Sequence, residues 1–182
     1  MRLMFAAALA AFSLTPAPPP AGPLSLEPTI AGVRLFYGPG GGFDGIDARL
    51  VARARKSIDM AAYVLTDRSL AAALGEAGAR GVKVRIYLDG EDSDRAAAVE
   101  RLAFAPNVEI RRKAPSRDLM HLKSYSVDGR LLRSGSANFS VSGAAYQDND
   151  LIVIESPAAA TAFEEAFERL WRRSDNRRIG MK

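Results

Sequence analysis

The stretch HLKSYSVDGRLLRSGSAN, residues 121–138, decides both the fold and the candidate site. It contains His121, the single histidine among the chain's 182 residues. The Asp128-Gly129 pair, flanked by strand-forming runs, is the strongest short-range signal for a β-hairpin. If these two residues alone form the turn, the paired strands place His121 directly opposite Ser136.

The predicted hairpin gathers polar side chains on one face. Side chains alternate between the faces of a strand, so His121 and Lys123 share a face. On the opposing strand, Ser134, Ser136 and Asn138 are expected to join them. An imidazole, an ammonium group, hydroxyls and an amide can together hold a tetrahedral oxyanion beside a nucleophile.

Two further positions of the segment are interpreted as structural. Asp128 lies seven residues from His121, about 23 Å along an extended strand, so it cannot orient that imidazole through the hairpin. We expect Asp128 to shape the turn. Gly135 belongs to the same pattern and is likewise interpreted as structural.

The composition excludes several kinds of chemistry. With 48% hydrophobic and 25% charged residues, the chain is typical of one globular domain. It has no cysteine and one histidine, which excludes thiol chemistry and argues against a zinc or iron site made of protein ligands. We expect no metal and no cofactor.

The first residues are of a different kind from the rest. One arginine, an apolar run over residues 3–14 and then prolines and small residues are typical of a secretory signal peptide. The alternatives are a disordered start or an uncleaved helix at a membrane surface. We predict a signal peptide over residues 1–21, a linker over 22–32 and one catalytic domain over 33–182. The mature chain is then periplasmic or secreted, with no stable membrane insertion.

Positive charge is concentrated around the hairpin. The formal net charge is +4, and residues 108–133, with seven basic and three acidic side chains, carry that same excess. A polyanion or a phosphate-bearing partner is the natural inference, and a solvated basic face is the alternative. The candidates for contacts with a substrate backbone are Arg111, Arg112, Lys113 and Arg117.

Strand and helix patterns alternate along the chain from residue 33. This alternation predicts an α/β fold with a mixed, largely parallel β-sheet sandwiched between helices. The continuous apolar run in DLIVIES, residues 150–156, is typical of a strand that is covered on both faces.

HLKSYSVD followed by GSAN resembles the HKD signature of the phospholipase D superfamily. The resemblance extends to LFYGPGG, ARKSIDMAAYVLTD, GVKVRIYLDG, DNDLIVIE and FEEAFERLW, and so covers nearly all of the chain after the leader. The sequence is most similar to small members with one motif: secreted bacterial endonucleases, and mitochondrial relatives that cleave RNA or cardiolipin. The signature is specific for the superfamily and says little about substrate.

The resemblance implies a mechanism. One HKD histidine attacks phosphorus to form a phosphohistidine, and a second protonates the leaving oxygen and then activates water, without a metal. By position, His121 is the nucleophile or the acid, Lys123 and Asn138 hold the phosphate, and Ser136 assists. Because this chain has a single histidine, we expect a homodimer with a composite active site.

The chain departs from the family pattern at one place. Related sequences have a glutamate before the late apolar strand, which supports the histidine. Here Asn149 stands at that position, between Asp148 and Asp150. An amide can orient an imidazole but does not raise its basicity as a carboxylate does, so Asp150 or Asp148 is the alternative support.

Three functions remain open at this point. The first is a metal-independent phosphodiesterase that acts as an endonuclease on DNA or RNA without sequence specificity. The second is a phospholipase D acting on phospholipid head groups, with Leu119, Met120 and Phe139 as candidates for contact with lipid. The third is a nucleic-acid-binding module without turnover.

Overall fold

A computed structural model describes residues 31–39, 43–90 and 97–180, with only the backbone of Phe43 and Asp44. The predicted signal peptide and residues 22–30 of the predicted linker lie outside the described residues. Within these ranges, no helix combines the length and the apolar character needed to cross a membrane.

The described part of the chain contains eight strands and five helices. The strands are β1 (Val33–Tyr37), β2 (Ser57–Ala62), β3 (Lys83–Leu88), β4 (Val108–Arg112), β5 (Lys123–Val127), β6 (Leu131–Gly135), β7 (Asp150–Ile154) and β8 (Arg177–Ile179). The helices are α1 (Phe43–Ala52), α2 (Arg68–Ala79), α3 (Ala97–Leu102), α4 (Val141–Ala145) and α5 (Pro157–Trp171).

The strands form one mixed sheet in the order β1-β7-β6-β5-β2-β3-β4-β8. Only β2, β3 and β4 are parallel neighbours, and every other neighbouring pair is antiparallel. The expected largely parallel sheet is therefore wrong: the sheet is mostly antiparallel. A parallel pair needs a long crossover, and the β2-β3 and β3-β4 connections supply it with α2 and α3.

Helices cover the two faces of the sheet unequally. Helices α1 to α4 contribute to the larger apolar core, which includes Ile58, Met60 and Ile86 of the central strands. Helix α5 packs on the other face over β2, β5 and β6. Its Phe167 and Trp171 form a second, smaller cluster there with Tyr87.

Strand β7 is covered well on one face only. Leu151 and Val153 are buried, whereas Ile152 and Ile154 are partly exposed. The expectation that both faces of this strand are fully covered is wrong, because α5 packs over the central strands instead. The same surface continues onto β1, where Val33, Leu35 and Tyr37 pair in register with Ile154, Ile152 and Asp150. We call this surface the β1–β7 apolar face; its members are Val33, Leu35, Tyr37, Ile152 and Ile154.

Candidate active site

The candidate site lies at one edge of the sheet, where several strands begin or end together. Ala62 at the end of β2 pairs with Lys123 at the start of β5 and with Leu88 at the end of β3. Gly135 at the end of β6 pairs with Leu151 near the start of β7. Residues that are distant in sequence therefore meet at this edge.

The hairpin has a register that differs from the expected one. Val127 pairs with Leu131 and Tyr125 with Arg133, so the loop has three residues rather than two. As a result Ser134 lies on the opposite face from Lys123, where its hydroxyl oxygen is 3.0 Å from that of Ser124. The predicted grouping of Ser134 with the site is wrong.

The shape of the turn depends on contacts with another element. Asp128 and Gly129 both have positive φ, 55° and 63°. The Asp128 carboxylate accepts hydrogen bonds at 2.7–3.1 Å from the backbone N–H groups of Arg55, Lys56 and Ser57, just before and at the start of β2. This anchoring couples the turn to β2, and a register set by such a distant contact could not be read from the Asp-Gly spacing.

Lys123 is buried, and its Nζ donates a hydrogen bond of 2.9 Å to the backbone carbonyl of His121. The same Nζ lies 4.7 Å from the centre of the Tyr63 ring. Burial lowers the pKa of the Lys123 ammonium group. A cation held in this way is oriented before any substrate arrives.

His121 precedes β5 and its side chain is exposed. The imidazole packs against Tyr63, with the ring centres 4.5 Å apart and the planes inclined by 56°. The segment is held by two backbone contacts: Tyr63 N–H donates to the carbonyl of Leu122, and Met120 N–H donates to the Asp89 carboxylate. His121 is therefore accessible yet placed by its neighbours.

Tyr63 is a site residue that the sequence reasoning missed. It contacts both His121 and Lys123. In the sequence it is one aromatic residue at the end of an apolar run, which is the usual composition of a core strand. The antiparallel pairing of β2 with β5 brings it to the site, and the pattern of residues 57–65 gives no signal of that pairing.

Asn138 follows β6 and is partly buried. Its Oδ1 atom is buried and accepts no hydrogen bond from the residues that the structure describes. Most buried polar atoms in proteins have a hydrogen-bond partner, so this acceptor is an exception.

Ser136, Asn149 and Asp150 form a separate network beside the site. Ser136 N–H donates to Asp150 Oδ1 at 2.8 Å, and the Ser136 hydroxyl donates to Asn149 Oδ1 at 3.0 Å. Hydrogen bonds from Ser136, chiefly from its side chain, hold the pKa of Asp150 below its usual range. Asn149 also donates to the carbonyl of Gly143. These contacts join the segments around β6, α4 and β7.

Gly135 is required by the close approach of two strands. Its φ is 130°, and a Cβ atom at this position would lie 2.5 Å from the carbonyl oxygen of Asp150. Only glycine fits both conditions.

The four basic residues that were predicted to contact the backbone of a substrate do not form one open patch. Arg111 donates to Glu109 and to the carbonyl of Trp171, and lies over the Trp171 ring. Lys113 is buried and donates to Ser116 and to the carbonyl of Asp118. The protein itself engages these two cations.

The other two basic residues lie elsewhere. Arg112 ends β4 at the site edge and pairs in register with Arg177 of β8. Burial and the neighbouring Arg177 lower the pKa of Arg112. Arg117 is exposed. Two guanidinium groups on adjacent strands favour an anion at this end of the edge.

The three apolar residues that were proposed for contact with lipid differ in their exposure. Leu119 is 56% exposed, whereas Met120 and Phe139 are 4% and 2% exposed and belong to the core. Leu122, the residue before Lys123, is 41% exposed. Only Leu119 and Leu122 are therefore free to touch a ligand from outside.

Comparison with known proteins shows the family to which the chain belongs. The family described as "Cardiolipin synthase, PLD-like domain" matches residues 48–171. The chain is 31% identical to the phospholipase D of Rickettsia conorii over 133 residues, covering 72% of this chain and 65% of that protein. It is 27% identical to the mitochondrial cardiolipin hydrolase of Xenopus tropicalis over 126 residues, covering 69% of this chain and 60% of the relative.

Solved structures show the same fold. A phospholipase D family member, Nuc, from Salmonella typhimurium superposes with a TM-score of 0.74 at 27% identity, covering 82% of this chain and 98% of that chain. NucT from Helicobacter pylori superposes with a TM-score of 0.71 at 21% identity, covering 76% and 94%. The chain belongs to the phospholipase D superfamily, as its HKD segment predicted. It matches only 52–60% of the length of the first three of these curated relatives.

Proposed function

We propose that this protein is a metal-independent phosphodiesterase that acts through His121. The observation that supports this most strongly is the exposed imidazole of His121 beside the buried ammonium group of Lys123, with both packed against Tyr63. An imidazole near neutrality can serve as nucleophile or as acid and base.

The proposed reaction has two steps. A histidine nitrogen forms a bond to phosphorus while the phosphorus–oxygen bond to one alcohol breaks, and a second imidazole gives its proton to that leaving oxygen. Water, deprotonated by the second imidazole, then attacks phosphorus and breaks the phosphorus–nitrogen bond. Lys123 and Asn138 hold the non-bridging oxygens, where negative charge is concentrated.

We favour nucleic acid as the substrate and non-specific cleavage. Arg112 and Arg177 extend the positive charge of the site edge, and a chain of phosphates would follow such an edge. The similarity to Nuc, which this chain covers almost completely, supports the same choice. Phospholipid is the alternative, because relatives named cardiolipin hydrolase and phospholipase D are similar to this chain and Leu119 and Leu122 are exposed.

A panel of substrates in excess EDTA tests this proposal. Purified protein is assayed on plasmid DNA, RNA, phosphatidylcholine vesicles and cardiolipin vesicles. Cleavage of DNA or RNA without release of lipid head groups is the expected result. Release from lipid alone supports the alternative. Binding to nucleic acid without any turnover supports a binding module, and activity that chelation abolishes and a divalent ion restores contradicts the metal-independent reaction.

The active unit is proposed to be a homodimer. The reaction needs two imidazoles at one phosphorus, and each chain has one. The β1–β7 apolar face reaches the site edge, where Tyr37 is 69% exposed and pairs in register with Asp150. A two-fold axis beside this face would cover it with its own copy and bring two His121 side chains to one phosphate.

Sedimentation at the assay concentration tests the dimer. We expect Tyr37→Glu to weaken association, since it places a charge in the interface. Phe104→Glu is the matched control, because Phe104 is 77% exposed in the connection between α3 and β4 and should leave association unchanged. An active wild-type monomer contradicts the shared site.

Export is proposed from the leader pattern of residues 1–21. Fractionation of cells that express the full chain is expected to place a shortened product in the periplasm or the medium. A full-length product confined to the cytoplasm contradicts export.

A further inference from the structure

A completely buried guanidinium group lies beneath the candidate site. Arg133 is 0% exposed, and its Nε and Nη2 atoms each donate to one oxygen of the Asp47 carboxylate at 3.0 Å. The Tyr125 hydroxyl donates to the same carboxylate at 2.8 Å. Arg133 belongs to β6 and Asp47 to α1, so this ion pair ties the hairpin to the helix beneath it.

The remaining nitrogen of Arg133 bridges β5 and the segment that follows β6. Nη1 donates to the backbone carbonyl of Lys123 at 2.8 Å and to that of Ala137 at 3.2 Å. The β5–β6 pairing has Tyr125 opposite Arg133 as its last pair toward the site. Beyond that pair, the guanidinium group links the two sides of the hairpin through the carbonyls of Lys123 and Ala137. Along the rest of the hairpin, backbone hydrogen bonds make this link.

We propose that Arg133 is a positioning residue that sets the distance between Lys123 and Asn138. One of its contacts is the carbonyl of Lys123 itself, and the other is the carbonyl of the residue before Asn138. Both side chains are assigned to the phosphate oxygens, so this inference rests on the proposed function. The Asp47 carboxylate holds the guanidinium group in the orientation that reaches both carbonyls.

The energetics agree with a role beyond simple stability. Burying an ion pair costs desolvation that its attraction barely repays, and apolar replacements of such pairs are often as stable. Burial raises the pKa of Asp47, while Arg133 and Tyr125 favour its ionised form. The planar guanidinium group presents five donors in a fixed arrangement, which a lysine does not reproduce.

The test compares Arg133→Lys with Tyr125→Phe on bis(p-nitrophenyl) phosphate in EDTA, at a temperature where circular dichroism shows each variant folded. Arg133→Lys keeps a positive charge for Asp47 but its single nitrogen cannot satisfy the carboxylate and both carbonyls. We expect kcat to fall at least tenfold with KM changed by less than threefold, because the two phosphate-holding groups lose their spacing. Tyr125→Phe removes a bond to Asp47 and leaves both carbonyl contacts, so kcat should stay within twofold of wild type.

The outcomes separate this inference from the function on which it depends. Wild-type protein without turnover contradicts the proposed function. Wild-type turnover with Arg133→Lys folded and within twofold in kcat contradicts the positioning role. If Arg133→Lys does not fold, the double variant Arg133→Met with Asp47→Leu is measured, because it removes the charge and its partner together. A kcat within twofold of wild type in that variant contradicts the positioning role. An equal loss of kcat in Tyr125→Phe also contradicts the proposal, because that variant retains the bridge.

Discussion

The Nζ atom of Lys123 lies 4.7 Å from the centre of the Tyr63 ring. Burial lowers the pKa of this ammonium group, and the ring face favours its charged form. Tyr63 also packs against His121. One aromatic side chain thus contacts the two groups on which the proposed chemistry depends.

Replacing Tyr63 by leucine is expected to shift the alkaline limb of the pH profile to lower pH. Loss of the ring removes a contact worth about 0.5–2 kcal/mol to the ammonium form, which corresponds to about 0.4–1.5 pH units. The measurement is kcat/KM against pH on a phosphodiester substrate. Tyr63→Phe retains a ring and should keep the wild-type limb, and an unshifted limb in Tyr63→Leu would show that the ring does not stabilise the cation.

Asp128→Ala is expected to lower stability and to spare catalysis. The carboxylate accepts bonds from three consecutive backbone N–H groups, so its loss should cost about 1–3 kcal/mol in the free energy of unfolding. Asp128→Asn keeps one acceptor and tolerates the positive φ, so its free energy of unfolding should lie between those of wild type and Asp128→Ala. Denaturant unfolding and kcat are measured together. A collapse of kcat at unchanged stability would give Asp128 a catalytic role instead.

Ser136→Ala is expected to produce a pH-dependent loss of stability. Bonds from Ser136 lower the pKa of Asp150 in the folded state. A carboxyl group with a lowered folded pKa contributes stability above its unfolded pKa, about 3.9, and loses it as pH falls through the folded pKa. The difference in Tm between wild type and Ser136→Ala should therefore be largest near pH 6 and shrink below pH 4. In an Asp150→Asn background the difference should not vary with pH, and a variation that persists there would assign it to another group.

Mixed dimers distinguish a shared site from two independent ones. Wild-type and His121→Ala chains are unfolded together and refolded at different ratios. A site that needs both imidazoles makes activity fall with the square of the wild-type fraction. Independent sites give a linear dependence, and that result would contradict the composite site.

The sequence predicted most strands and helices, but not the pattern of their pairing. Asp67 is the N-cap of α2 and Pro157 is the first residue of α5, and each is a local signal of a helix start. The helix α4 and the strand β8 have five and three residues, too few to show a period. The largely parallel sheet was expected because strands and helices alternate, and alternation does not say which strands become neighbours.

The candidate site was predictable where one short segment carries it. His121, Lys123, Ser136 and Asn138 are drawn from a stretch of 18 residues, and the structure brings their part of the chain to one edge. Tyr63 and the Arg133–Asp47 pair could not be found in this way, because they depend on contacts between elements far apart in sequence. The one-residue error in the hairpin register has the same origin, in the anchoring of Asp128 to the start of β2.

The most direct test of the central claim is the rate of phosphodiester hydrolysis by His121→Ala in EDTA, relative to wild type. Removing a covalent nucleophile usually costs several orders of magnitude, so we expect a loss of more than about a thousandfold. Binding to nucleic acid should persist and weaken steeply with salt, since Arg112 and Arg177 remain. Hydrolysis retained at more than about a hundredth of the wild-type rate would contradict the account, because another group would then carry the reaction.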